Sequence, residues 1–169
     1  MFGVGDTVLY GTQGVCKIAE TEQKRVRGEY VDYLVLRPVY DENSTIYIPA
    51  DNETLTAKLR RILSAEEIYE MIHSMPDEET IWIDDDNQRK VQYQQIISGG
   101  DRRKLVRLIK TLHLRKVSQE KNGKKLHQSD EAILKQAEKL LHNEFALVLN
   151  IKPEEVLPFI MEQIEIEKK

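Results

Sequence analysis

Cysteine is nearly absent from this 169-residue chain: Cys16 stands alone, so neither an internal disulfide nor a cysteine-rich zinc site can form within it. Cys16 itself reads as a small apolar side chain on a strand. Long apolar runs are also missing. The opening Met1-Phe2-Gly3-Val4-Gly5-Asp6 reaches an acid at once, and the longest later run is Phe145 to Leu149, against the roughly 20 residues of a membrane span. A soluble, cytoplasmic chain with no membrane partner is expected. Catalytic signatures are scarce too, since His73, His113, His127 and His142 fall at no metal-ligand spacing and no glycine-rich phosphate loop occurs. We therefore expect no enzyme: no catalytic residue, no metal, no cofactor and no small-molecule substrate.

The most telling scarcity is local. From Asn87 to His127 there are only two acids, Asp101 and Glu120, against twelve Lys and Arg at 89, 90, 102, 103, 104, 107, 110, 115, 116, 121, 124 and 125. That block carries +10, whereas the other residues carry −14 and bring the total to −4. Phosphate polymers attract such a block by giving up condensed counterions, and the anionic remainder is repelled from the same surface. Nucleic acid gripped by one region is the partner this charge pattern implies.

Elements follow from periodicity and turn chemistry. Thr7 to Tyr10, Val15 to Ala19, Val31 to Val39 and Thr45 to Ile48 are rich in β-branched and aromatic residues. Between them stand the turns Gly11-Thr12-Gln13-Gly14, Arg27-Gly28-Glu29 and Asp41-Glu42-Asn43-Ser44. Short strands so closely spaced suggest a small bent antiparallel sheet or barrel. From Ser64 the period becomes helical. Ser64 and Glu67 form a capping box, followed by Ile68, Met71, Ile72 and Met75 on one face and Pro76 as a stop. Asp84-Asp85-Asp86 opens a second helix, either capping it or pairing with Arg89 and Lys90, and Gly99-Gly100 closes it. Asp101 caps a third helix to Lys116, Ser129 a fourth to about Asn143, and Pro153 sits in the first turn of a fifth to about Glu165. The fold class is thus α+β in two domains: a small β barrel over residues 1–60 and an all-α bundle of about five helices over 61–169. In the last helix Val156, Leu157, Ile160, Met161 and Ile164 form an apolar face for the bundle or for a dimer.

At 100° per residue the third helix puts Leu105, Leu108, Ile109 and Leu112 on one face and Arg103, Lys104, Arg107 and Lys110 on the other. Arg89 and Lys90 from the helix before, and Lys124 and Lys125 from the loop after, extend the positive surface. No Asn, Gln and Arg pattern for reading bases is evident, so the contact is expected to be independent of sequence. Trp82, the sole tryptophan, lies beside this block between two acidic triplets. Two roles are open to it: a packing plate against the core, or a ring that stacks on or wedges against an exposed base.

Several strings occur in a telling order: Met1-Phe2-Gly3-Val4-Gly5-Asp6-Thr7-Val8-Leu9-Tyr10, Gly14-Val15, Gly28, Tyr33-Leu34-Val35-Leu36, Ile46-Tyr47-Ile48-Pro49-Ala50-Asp51-Asn52, Ser98-Gly99-Gly100-Asp101, and Glu144-Phe145-Ala146-Leu147. In that order they resemble the CarD/CdnL family of bacterial transcription regulators, over nearly the whole chain. The resemblance implies a Tudor-like N-terminal domain that docks on the β subunit of bacterial RNA polymerase. It also implies a helical domain that contacts promoter DNA at the upstream edge of the melted region and stabilises the open complex. By residue, it implies polymerase contacts at Lys24, Arg27 and Tyr47, and places the protein with the nucleoid through the polymerase. Tyr47 stands where some relatives carry arginine, and Trp82 lies about a helical turn upstream of the family's tryptophan. If about five cations touch phosphates, affinity falls roughly twentyfold per doubling of salt, so docking on polymerase has to supply the local concentration. The competing expectation is an RNA-binding or ribosome-associated module, since small β barrels and basic helices also serve RNA.

Overall fold

The computed structural model describes residues 2–168, with side chains as far as Ile164. By its internal contacts the chain divides after Ile62 into two compact units.

The first unit is one antiparallel sheet of five strands: β1 (Thr7–Tyr10), β2 (Val15–Val26), β3 (Glu29–Pro38), β4 (Ile46–Pro49) and β5 (Leu59–Arg61), in the order β4-β3-β2-β1-β5. Alternation decides its inner face, where Val8, Cys16, Ile18, Leu36, Ile48 and Leu59 form a small core. The Cys16 thiol is part of that core, and burial pushes its pKa up to about 11, so it stays protonated. The turn between β2 and β3 is two residues long, with Arg27 and Gly28 both at positive φ (51° and 83°), and Val26 faces Glu29 across it. That backbone matches the right-handed twist of the strands it joins.

Two features of the sheet depart from the sequence expectation. Strand β2 runs to Val26 rather than stopping at Ala19, because Glu20 to Arg25 pair residue by residue with Val35 to Tyr30 beyond a bulge after Ile18. A polar, largely exposed stretch is held by its backbone ladder rather than by burial. Strand β5 was not expected at all. Its three residues are too few to show a period, and pairing Val8 with Arg61 and Tyr10 with Leu59 is what defines it. A one-turn helix, α1 (Glu53–Thr56), precedes it, with Asn52 Oδ1 accepting from the Leu55 N–H at 3.1 Å.

The second unit contains α2 (Ala65–Ser74), α3 (Asp86–Gly99), α4 (Arg102–Lys121), α5 (Gln128–Leu149) and α6 (Pro153–Lys168). The five helices expected from Ser64 onward are present. Ser64 and Glu67 make the reciprocal capping box, Asp85 caps α3, Asp101 caps α4, and Gly100 closes α3 in the left-handed conformation. The cap of α5 is corrected: His127 Nδ1, not the Ser129 side chain, accepts from the Ser129 N–H. Helix α5 also continues to Leu149, where Asn150 ends it at φ 57°. The core joins Ile68 and Ile72, Tyr93 and Ile97, Leu105, Leu108 and Leu112, Ile133, Ala137, Leu141 and Phe145, and Val156 and Ile160. Of the apolar face expected on α6, Val156 and Ile160 are buried, whereas Leu157 and Met161 are about half exposed.

Candidate nucleic-acid interface

The segment between α2 and α3 has no regular structure after a short 3-10 turn at Met75–Asp77. It is tied down on α3 and α4 instead. Thr111 Oγ1 accepts from the Ile81 N–H (2.9 Å), Tyr93 Oη donates to the Ile81 carbonyl (2.8 Å), and Lys110 Nζ donates to the carbonyls of Met75, Pro76 and Glu78 (3.2, 2.8 and 2.7 Å). This lays Trp82 against the bundle with its ring half-buried on the core. The indole Nε1–H donates to Asp84 Oδ1 (2.8 Å), and the guanidinium carbons of Arg89 and Arg115 each lie 4.4 Å from the ring centroid. Cations at that distance are attracted by the ring quadrupole and hold the indole in place. The ring packs on the core, the first of the two anticipated roles, and also lines an open groove.

That groove, of about 540 Å³, lies between α3 and α4. Its apolar wall includes Trp82, Ile83 and Ile96, and its polar wall Gln92, Gln95, Asp101, Lys104 and Arg107. Of the residues expected to touch DNA, the structure thus brings Trp82, Lys104 and Arg107 together. Lys90 on α3 is exposed but outside the groove, and so are Lys124 and Lys125 in the loop after α4. Gln92 and Gln95 also line the groove and Arg115 stacks on its tryptophan, three residues not singled out as contacts from the sequence. The i, i+3 spacing of the glutamines on a helix otherwise short of an apolar stripe was the available signal for the first two, whereas Arg115 becomes visible only through its stacking.

The expected positive surface is substantially rearranged. Arg89 requires correction as a phosphate contact: its side chain is 3% exposed and forms a bidentate pair with Asp130 (Nε–Oδ1 2.9 Å, Nη2–Oδ2 3.0 Å), while Asp86 Oδ1 takes a further Nη2 bond at 2.8 Å. Hydrogen bonding to Asp130 raises the already high pKa of this guanidinium, outweighing burial. Arg102 forms a second fork on Glu144, which also accepts the Leu63 N–H (2.9 Å). Arg103 and Arg107 both donate to the covered carboxylate of Glu78, and Lys116 pairs with Glu131 at 3.1 Å. Six of the twelve cations in the block thus bond acids or carbonyls of their own unit. Lys90, Lys104, Lys121, Lys124 and Lys125 are exposed and make no ion pair among the described residues.

On the β unit, Lys24 Nζ sits 3.7 Å from the Tyr47 ring centroid, and Tyr33 meets Tyr47 edge-on with centroids 6.2 Å apart. The residue that departs from arginine therefore keeps a cation beside it. Arg27 is exposed at the β2–β3 turn, apart from this cluster, and Tyr30 near it is 69% exposed.

Two family models cover most of the chain: the CarD-like/TRCF RID domain matches residues 2–63, and the CarD C-terminal domain matches residues 67–161. A Tudor-like β unit joined to this helical unit defines an RNA polymerase-interacting transcription factor, built from regulatory rather than enzymatic domains. Within that class, the chain belongs to the CarD family. No helix among the described residues is long and apolar enough to cross a membrane.

Proposed function

We propose that the β unit docks on the β subunit of RNA polymerase and that the helical unit contacts promoter DNA without reading its sequence, prolonging the life of the open complex. Lys24, Arg27 and Tyr47 are the docking residues of this reading. A lysine stacked on a tyrosine offers a partner a charge and a flat apolar surface at one place.

The observation that carries the DNA contact is the groove itself, where a tryptophan, a free lysine and two glutamines line one opening. Lysines attract backbone phosphate, an aromatic face takes an unstacked base, and neither discriminates among bases. Lys90, Lys124 and Lys125 add long-range attraction outside the groove. This division of labour needs both units in one chain, because the few unpaired cations hold DNA weakly at cellular salt and docking raises their local concentration. The protein then works in the cytoplasm, at the nucleoid, wherever polymerase stands on a promoter.

The test is a pull-down with isolated polymerase β fragments together with an open-complex lifetime assay. Lys24→Ala with Tyr47→Ala is expected to lose the fragment while sparing binding to free duplex. Trp82→Ala is expected to shorten the open-complex lifetime while leaving the fragment bound. Undiminished promoter effects from the helical unit alone overturn the tether, and preference for structured RNA over duplex promoter DNA overturns the choice of nucleic acid.

A further inference from the structure

Glu78 is an unusual residue to bury. It lies in the irregular segment between α2 and α3, flanked by exposed Asp77 and Glu79, yet its side chain is 4% exposed. What covers it is charge: Oε1 accepts from Arg103 Nε at 2.9 Å and Oε2 from Arg107 Nε at 2.7 Å. The two arginines stay reachable from solvent, Arg103 at 67% and Arg107 at 30% exposed. Beside them an open cavity of about 230 Å³ is lined by Ser74, Asp77, Glu78, Glu79, Arg103 and Arg107. The site is therefore two arginines one turn apart on α4, converging on a single oxyanion with space next to it. Two guanidinium groups presenting N–H donors to one pair of oxygens suit a phosphate as well as a carboxylate.

We propose that Glu78 is a built-in competitor for nucleic-acid phosphate, filling an arginine cradle on α4 in the free protein and giving it up when the backbone of DNA arrives. This rests on the DNA contact proposed above and deepens it, since it names Arg103 and Arg107 as a masked phosphate site. The exchange is anion for anion, with no covalent change. The hydrogen bond from Arg107, and then that from Arg103, holds the Glu78 carboxyl below the ordinary carboxylate range, so the competitor is charged at neutral pH. Its release needs only the Glu78 side chain to swing out of the cradle, because Lys110 holds the backbone carbonyls of Met75 and Glu78 and the Ile81–Thr111 bond anchors the chain just beyond. Masking keeps the free protein from settling on bulk DNA. A phosphate brought close by docking on polymerase faces a competitor that is tethered but weakly screened, and only high local phosphate displaces it.

The experiment compares full-length chains in a salt titration of binding to a short fluorescent duplex. Glu78→Gln leaves one neutral acceptor and frees both arginines for phosphate. Two added contacts steepen the slope of log affinity against log salt by about 1.8, so the variant's gain over wild type shrinks about tenfold between roughly 50 and 200 mM salt. Glu70→Gln makes the same charge change on an exposed α2 residue with no partner among the described residues, and its slope should match wild type. An unchanged slope for Glu78→Gln, a loss of affinity, or an equal gain from Glu70→Gln overturns the mask while leaving the DNA contact standing. If wild type shows no salt-sensitive duplex binding and Glu78→Gln shows none either, the DNA contact falls and the mask with it. Should Glu78→Gln fail to fold by circular dichroism, Glu78→Asp, which draws the carboxylate back by one methylene, takes its place with the same expected direction and the same overturning results.

Discussion

Arg37 and Arg89 are the same residue type in opposite circumstances. Arg37, on β3, meets Glu20 across the sheet at 3.8 Å with both side chains more than half exposed. Arg89, on α3, is enclosed with Asp130 at 2.9 Å and takes two backbone carbonyls as well, those of Ile83 and Asp84. The difference follows from architecture. A thin sheet with nine buried apolar residues has little interior in which a long cation can hide, so its charges remain in water, where an ion pair gains little. A bundle of long helices leaves joints where a guanidinium fork and a carboxylate can satisfy each other out of solvent, and breaking such a joint strands a charge. The β unit therefore leaves charges such as Arg37 and Glu20 in water, whereas the helical unit commits half of its basic block to its own structure.

The comparison breaks most visibly at Asp130. Asp130→Ala leaves Arg89 buried with Asp86 and two carbonyls for company, and is expected to cost about 3–5 kcal/mol in denaturant unfolding. A loss below about 1 kcal/mol would show that Arg89 escapes to solvent, and with it a route back to phosphate contact. Arg115→Ala should cost much less, about 0.5–1 kcal/mol, and is better followed by Trp82 fluorescence, which reports the freed ring face. Arg37→Ala marks the lower end of the comparison, with a change of no more than about 0.5 kcal/mol that vanishes in high salt.

Two pH effects sharpen the same contrast within the helical unit. Because the folded carboxyl of Glu78 titrates below its unfolded value, its clasp stabilises the fold above the ordinary glutamate range of about 4.3 and loses that contribution as pH falls through the folded value. The melting temperatures of wild type and Glu78→Gln should thus converge in acid. His142 works at milder pH. Burial lowers its imidazole pKa, so the unfolded chain takes up a proton before the folded one does, and stability declines as pH drops below about 6.5. His142→Gln is expected to remove that mild-acid decline from a thermal melt.

Legibility in the sequence was uneven, and the reason is distance along the chain. Helix starts were readable because capping is local: Ser64, Asp85 and Asp101 each accept from a backbone N–H three residues on. The buried stripes of α2 and α4 were readable for the same reason, since 3.6-residue periodicity is written within one helix. Strand β5 and the polar half of β2 were not, because a partner strand and not their own composition makes them strands. The cap of α5 was misassigned because an imidazole acceptor at His127 leaves no pattern that distinguishes it from a residue outside the helix.

The same contrast holds for the candidate site. The order of residues alone determined that twelve cations cluster between Asn87 and His127 and that Trp82 borders them. Tertiary structure decided which of those cations face water, because their partners lie far off along the chain: Asp130 is 41 residues from Arg89, Glu144 is 42 from Arg102, and Glu78 is 25 and 29 from Arg103 and Arg107. Charges pair across a few ångströms of space, and only folding sets those distances.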